Sequence, residues 1–281
     1  MPRVAMLYDV ARLEEKMLAA ELRGRAELEL VHLPSQPLRL GEPPGGGVDA
    51  ALVRAISLYR AVSSAAVAES WGAAVVNPPV PLMAAGDKLL TQALLERRGI
   101  PTPRALVAYT PEAAVEAAGE LGYPVVFKPT VGSWGRLAAL AGDGEAVRSI
   151  AEHREALGGP YKVHYLQEYV RKPGRDLRVI CVGGRAVAAA YRVSPGGWLT
   201  NAARGARSIP ARLDGEAEEL AVGACEAVGV EVAGVDLVED PERGYLVLEV
   251  NGVPEFKSLT SATGVNVAAS IAEHVVWRAR V

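Results

Sequence analysis

Apolar positions along the chain fall into short runs separated by amphipathic stretches, and this alternation predicts an α/β protein. Val4-Ala-Met-Leu-Tyr8 reads as a strand, Leu13 to Leu22 as an amphipathic segment and Leu28 to Val31 as a second strand. A strand near Ala50 to Val53, a helix from about Tyr59 to Trp71 and the run Ala73 to Asn77 continue the pattern, which is that of a small domain around a parallel sheet. Pro43-Pro-Gly-Gly-Gly47 is a surface loop with nothing to pack. Asn77-Pro-Pro-Val-Pro81 is expected to break regular structure, because consecutive prolines do not join a helix or a central strand.

A helix follows from Ala85 to Gly99, capped by Asp87 or Gly86 and stopped by Gly99. Lys88 sits in its first turn, against the helix dipole, so it is either a solvated surface lysine or one aimed at an anion. Pro103 to Tyr109 reads as a strand, Pro111 to Leu121 as a helix with proline in its first turn, and Tyr123 to Pro129 as a strand carrying Lys128 at its end. Residues 100 to about 165 thus form a compact α+β insert. Tyr165 to Arg178 runs strand, linker, strand, and Leu177 to Val193 makes a hairpin about Gly183-Gly184 with Arg192 at its end. Trp198 to Gly205 is an irregular polar loop carrying Asn201 and Arg204. A helix from about Asp214 to Val228, strands Val232 to Glu239 and Gly244 to Asn251, and a covering helix Val265 to Arg280 complete the chain. The expected division is 1–85, 86–168 and 169–281.

With 281 residues and a net charge of -3, the composition is that of a globular chain, and it excludes both disorder and nucleic-acid binding driven by overall charge. No apolar run is long enough to span a bilayer and the N-terminus lacks a signal-peptide pattern, so no membrane association and a cytoplasmic location are expected. Cys181 and Cys225 are too few for a zinc site or a disulfide framework. No Ser-His or Cys-His pairing suggests a covalent nucleophile. Arginine supplies most of the positive charge; Lys16, Lys88, Lys128, Lys162, Lys172 and Lys257 are the only lysines, which makes one inside an apolar strand, Lys128, conspicuous.

The chemistry concentrates in the last two strands. Asp236 and Glu249 lie in apolar runs, where acids are costly without a compensating cation. Glu249 and Asn251, two apart, share a strand face. If Asp236 pairs opposite Glu249, three oxygen donors converge as a magnesium ion requires; the same pattern also describes an ordinary hairpin with acids at exposed ends. In Thr130-Val-Gly-Ser-Trp-Gly-Arg136, glycines flank a serine, and the backbone N–H groups can wrap phosphate oxygens with Lys128 and Arg136 adding charge. Alone, such a stretch is equally a plain turn. The bend after Gln167 can offer one C=O and one N–H to an adenine edge, with Asp176 meeting ribose or basic partners, or it is a charged connector between domains.

Taken in order, Lys88, Lys128, Gly132-Ser-Trp-Gly135, Gln167-Glu-Tyr-Val170, Asp236 and Glu249-Val-Asn251 resemble an ATP-grasp ligase over nearly the whole chain. The resemblance implies an N-terminal α/β pre-grasp domain, a central α+β lid and a C-terminal α+β domain with the metal ligands. Gly132-Ser-Trp-Gly-Arg136, Pro173-Gly-Arg-Asp176 and Glu255-Phe-Lys257 further resemble ligases that act on the LysW-type amino-group carrier protein, relatives of the ribosomal-protein glutamate ligases. It implies ATP held by Lys88, Lys128, Gly132, Ser133, Trp134, Gly135, Arg136, Gln167, Glu168, Tyr169, Val170, Asp176, Arg178 and Asn201, and Mg2+ held by Asp236, Glu249 and Asn251. Arg192 would be catalytic, and Arg192, Ala202, Ala203, Glu255, Phe256, Lys257, Ser258 and Leu259 would surround the substrate. The implied partners are a small acidic carrier ending in glutamate, glutamate or 2-aminoadipate as the incoming amino acid, and further copies of this chain in a homo-oligomer.

In that family the two residues after Glu-Phe-Lys are Asn then Ser or Thr in aminoadipate enzymes and Gly-Phe in glutamate enzymes. Ser258-Leu259 match neither, whereas Asn251-Gly-Val-Pro-Glu255 resembles the glutamate type. Glutamate is therefore expected, with a 2-aminoadipate or dual-specificity enzyme, or a ligase adding glutamate to another protein tail, as the alternatives, since one methylene is worth only ~1 to 3 kcal/mol in a pocket. An acidic carrier would call for an arginine-lined approach, and Arg54 and Arg60 are the candidates.

Overall fold

A computed structural model describes residues 1–194 and 207–281. Four parallel strands, β1 (Arg3–Tyr8), β2 (Glu27–His32), β3 (Ala50–Val53) and β4 (Ala74–Val76), form the first sheet in the order β2-β1-β3-β4. β3 is buried along its whole length, as a continuous apolar run in a covered parallel sheet should be. Helices α1 (Leu13–Arg23) and α2 (Leu58–Ser70) connect these strands.

The proline run at 77–81 was expected to interrupt regular structure, and instead it starts a helix. α3 spans Pro79–Gly86, with Pro79 and Pro81 in its first turn. Backbone N–H groups there have no intrahelical acceptor, so prolines remove nothing, and their fixed φ suits helix entry. Asp87 ends α3 and caps α4 (Lys88–Arg97), accepting from the N–H groups of Leu89 and Leu90 at 2.9 and 3.1 Å.

The central unit is an antiparallel sheet of β5 (Ala105–Ala108), β6 (Val125–Lys128), β7 (Ala139–Ala141) and β8 (His164–Glu168), ordered β5-β8-β6-β7. Helices α5 (Pro111–Leu121) and α6 (Gly144–Leu157) pack on it around Ala114, Ala118, Phe127, Val147 and Leu166. The third sheet takes β9 (Arg175–Val182), β10 (Arg185–Val193), β11 (Arg207–Pro210), β12 (Val232–Asp240) and β13 (Gly244–Asn251) in the order β11-β10-β9-β12-β13. α7 (Gly215–Val228) covers one face; α9 (Val267–Arg278) covers the other, and the short helix α8 (Lys257–Thr263) precedes it.

Two packing facts position the site. Ile271 and Val275 of α9 share one core with Val4 and Met6 of the first sheet and Ile180 of the third, so these sheets are held on a common apolar body. Leu95 of α4 packs with Ala221 and Val235 in the core on the α7 side, so α4 rides on the C-terminal sheet although it precedes the central one.

Candidate active site

The register of the third sheet puts Glu249 opposite Asp236, Asp236 opposite Arg178, and Arg192 opposite Asp176. Charges thus line up across four strands, buried at Asp176, Arg192 and Asp236 and partly exposed at Arg178 and Glu249. The Arg192 guanidinium, 8% exposed, bridges two buried carboxylates: Nε and Nη2 reach Asp176 at 2.7 and 2.9 Å, and Nη2 lies 2.7 Å from Asp236 Oδ2. Arg178 Nη2 donates to Asp236 Oδ2 at 3.1 Å. Arg178 Nε sits 2.5 Å from Asp236 Oδ1 without completing a hydrogen bond, so that buried carboxylate oxygen keeps unused acceptor capacity. Lys172 Nζ stands 3.8 Å from Asp176.

The two expected lysines approach this row from different elements. Lys88, fixed by the start of α4, donates to the Gly132 carbonyl at 2.7 Å and lies 3.8 Å from Glu249. Its own N–H bonds to Thr130, and Asp87 bridges to Val131, which ties the glycine-containing loop to the helix. Lys128, at the end of β6, donates to Gln167 Oε1 at 2.5 Å. In the loop itself Gly135 takes φ of +66° and Trp134 +59°, and Arg136 stacks over the Trp134 ring at 4.7 Å. Glu168 holds the bend after β8: it accepts from Arg104 N at 2.8 Å and from Arg243, on the β12–β13 turn, at 2.6 Å.

Burial and charge pull against each other throughout. Burial pushes the Lys128 ammonium down to about 8; Glu249 opposes the shift, while Lys88 and Lys172 add to it. Burial would raise Glu249, but Lys88, Arg178, Lys128 and Arg192 outweigh it and hold its carboxyl below the usual range. Asp236 is raised by burial despite Arg178 and Arg192. Burial opposes the charge on Arg192, yet Asp236 and Asp176 overcome it, so this guanidinium stays charged.

Two clefts meet here. The first, between the central and third sheets, is open to solvent and lined by Lys88, Lys128, Gly132 to Arg136, Gln167 to Val170, Lys172, Asp176, Arg192, Asp236 and Glu249. The second runs between the first and third sheets, past Asp9, Arg12, Ser57, Arg178, Asn251 and Glu255. Arg192, Asp236 and Glu249 border both, as does the loop 132–134. A cleft for an elongated anion that opens beside a second cleft at its charged end suits transfer from one ligand to another. Among the described residues no three His, Cys, Asp or Glu side chains form a metal-holding group. Asp236, Glu249 and Asn251 all border the second cleft and offer hard oxygen donors of the kind a divalent cation takes, with Asn251 Oδ1 also accepting from Val253 N at 3.1 Å.

Models of the LysX pre-ATP-grasp domain and of the RimK-like ATP-grasp domain match residues 4–81 and 85–275. The chain belongs to the RimK-like ATP-grasp family. The glutamate–LysW ligase ArgX of Sulfurisphaera tokodaii is 37% identical over 276 residues, 97% of this chain and 98% of that protein. The α-aminoadipate–LysW ligase LysX of Sulfolobus acidocaldarius is 40% identical over 222 residues, 79% of this chain and 80% of its own. The crystal structure of a RimK-domain ATP-grasp protein from Sphaerobacter thermophilus superposes with a TM-score of 0.80 at 30% identity, covering 97% of this chain and 99% of that one. The protein is thus a ligase of the ATP-grasp fold.

Not every residue that sequence reasoning assigned to this RimK-like site lies in it. Phe256 and Leu259 are 0% and 2% exposed and belong to the core shared with α9, so their apolar side chains fill the fold and line neither cleft. Lys257 and Ser258 are exposed at the start of α8. Glu255 does border the second cleft, held by Arg12 at 3.0 Å. Arg178 lines the second cleft and Asp176 pairs with Arg192 at the end of the first. Asn201, Ala202 and Ala203 lie outside the described residues. Arg54 cannot line an approach for a carrier: it is 1% exposed, with Nε on Glu15 at 3.1 Å and Nη2 on the Pro254 carbonyl at 3.0 Å. Arg60 is exposed, 3.7 Å from Asp9. Sequence reasoning missed Lys172, Arg12 and Ser57; the scarcity of lysine that marked Lys128 applied equally to Lys172.

Proposed function

We propose that this enzyme joins the amino group of glutamate to the side-chain carboxylate of the C-terminal glutamate of a LysW-type carrier protein, at the expense of ATP. The observation that carries the reading is the meeting of the two clefts at Arg192, Asp236 and Glu249, in a chain that aligns end to end with a glutamate–LysW ligase. In the first cleft Lys88, Lys128 and the backbone N–H groups of 132–135 hold the phosphates, and the bend at 167–170 holds the base. Asp236, Glu249 and Asn251 would hold magnesium, which supplies neutralising charge on the phosphates. The carrier carboxylate, brought through the second cleft, takes the terminal phosphoryl group to give an acyl phosphate. The amine of the incoming amino acid attacks its carbonyl, and inorganic phosphate leaves. Arg192 faces the charge that develops at that carbonyl, where fixed cations are most effective.

Purified enzyme, ATP, Mg2+, glutamate and a carrier ending in glutamate should release ADP and phosphate and add one glutamyl mass to the carrier. Full turnover with free amino acids and no carrier would overturn the reading. Glutamate should exceed 2-aminoadipate in kcat/KM; a reversed ratio would reassign the amino acid while leaving the ligase chemistry intact.

A further inference from the structure

We propose that Gln92 is a positioning residue for the phosphate site: through Tyr165 and Gln167 it fixes the side chain of Lys128, so that one helix, α4, places both site lysines. The inference takes from the proposed function only that Lys128 meets nucleotide phosphate.

Gln92 lies one helical turn beyond Lys88, so the two share a face of α4. Gln92, Tyr165 and Gln167 are 6%, 2% and 2% exposed. The orientation of the Gln92 amide is decided by its surroundings: Nε2 lies 2.7 Å from Glu96 Oε1, 2.7 Å from Thr102 Oγ1 and 3.0 Å from the Pro103 carbonyl. Turned over, its oxygen would face a carboxylate and a carbonyl, with no donor for either. Gln92 Oε1 must therefore accept, and it does so from Tyr165 OH at 3.2 Å, with Gln167 Nε2 at 3.5 Å. The Tyr165 oxygen accepts from Gln167 Nε2 at 3.2 Å, which turns Gln167 Oε1 to Lys128 Nζ. Each link dictates the next, so donors run in one direction from Lys128 to the Pro103 carbonyl. Without Gln92 the Gln167 amide is free to rotate and present its own N–H groups to the ammonium.

The test measures binding of a non-hydrolysable ATP analogue with Mg2+, and of adenosine, to the full chain by calorimetry. The proteins are wild type, Gln92→Leu, Tyr165→Phe, Lys128→Met and Gln92→Leu on Lys128→Met. Gln92→Leu and Tyr165→Phe should each weaken the analogue by about tenfold, the scale of one buried hydrogen bond to a charged group, and leave adenosine binding unchanged. On the Lys128→Met background, Gln92→Leu should cost little more. Equal losses for adenosine and analogue, or a full further loss on that background, would overturn the proposal and leave the nucleotide reading standing. A wild-type protein that binds no analogue would overturn both. Tyr165→Phe removes a single oxygen and carries the test if Gln92→Leu does not fold.

Discussion

Replacing Arg192 by Met separates what this arginine does for stability from what it does for chemistry. Its guanidinium makes contacts of 2.7 and 2.9 Å to Asp176 and 2.7 Å to Asp236, with the three residues 8%, 3% and 4% exposed, so solvent screens little of the interaction. Methionine keeps much of the side-chain volume and takes the bridging cation from two buried carboxylates, with Lys172 at 3.8 Å and Arg178 among the partners that stay. Removing one member of a buried pair costs about 3 to 5 kcal/mol. At roughly 2 to 4 °C per kcal/mol for a chain of this size class, the melting temperature should fall by about 10 °C. Adding Asp176→Asn removes one of the stranded charges and should restore about half of that loss. Turnover should not recover with it: kcat should stay on the order of a hundredfold down in both variants, because neither supplies a cation where charge develops. The assays are thermal unfolding and carrier-dependent ADP release. A single variant that melts within a degree of wild type would refute the buried bridge, and a double variant that regains turnover would refute the chemical role.

Two further outcomes follow from the charges. Because burial holds Lys128 at about 8 and phosphate binding needs its charged form, kcat/KM for ATP should fall along an alkaline limb near pH 8, while kcat at saturating ATP keeps a higher limb; Lys128→Arg should abolish the first. The stability effect has the opposite sign, since an unfolded lysine near 10.4 binds the proton that the folded one gives up, so the penalty is full below pH 8 and relieved as pH rises; a profile flat to pH 9.5 would contradict the assignment. Arg54→Leu should lower stability by about 3 to 5 kcal/mol, because Glu15, also 1% exposed, loses a buried partner. With Arg12 and Arg54 beside it, the Glu15 carboxyl is held low against the cost of its burial, so its contribution is present above about pH 4.5 and lost in acid. Urea unfolding at pH 7 and pH 4 should show a smaller mutant effect at the lower pH, and an unchanged difference would count against this account.

The clearest elements in the sequence were those whose signal is local. β12 and β13 are apolar runs flanking a turn, and their observed register meets the condition set on the sequence, Asp236 against Glu249, with a bulge just after Asp236 that the spacing did not announce. α5 runs from Pro111 to Leu121, the limits its proline and periodicity imply. Where the deciding partner is remote, sequence reasoning failed. Arg54 looked like a surface charge because nothing nearby in the chain announces Glu15, 39 positions away, or the Pro254 carbonyl, 200 away. Phe256 and Leu259 sit inside a phrase that resembles a substrate motif, yet the space they fill is set by α9 and the first sheet. The prolines at 79 and 81 misled because a helix start and a chain break share the same residues, and only the geometry after Pro78 distinguishes them.

The charge balance of the site ties fold to function. Lys88, Lys128, Arg136, Lys172 and Arg192 bring five cations to the first cleft, against the four acids Glu168, Asp176, Asp236 and Glu249. Buried carboxylates need cations to fold, and that requirement explains Arg178 and Arg192, which are engaged with Asp236 and Asp176. It accounts for Lys88 through Glu249, but it leaves Lys128 without a close carboxylate among the described residues. Lys128 meets only a neutral amide oxygen at hydrogen-bond distance and is pushed toward losing its proton, while Lys88 spends its bond on a loop carbonyl and stands 3.8 Å from Glu249. A fold selected for stability alone would place an apolar side chain at 128, since a desolvated cation without a close counter-charge is costly. The surplus of positive charge becomes favourable once a polyphosphate occupies the first cleft, so under the proposed function the same residues that weaken the empty site would bind the nucleotide.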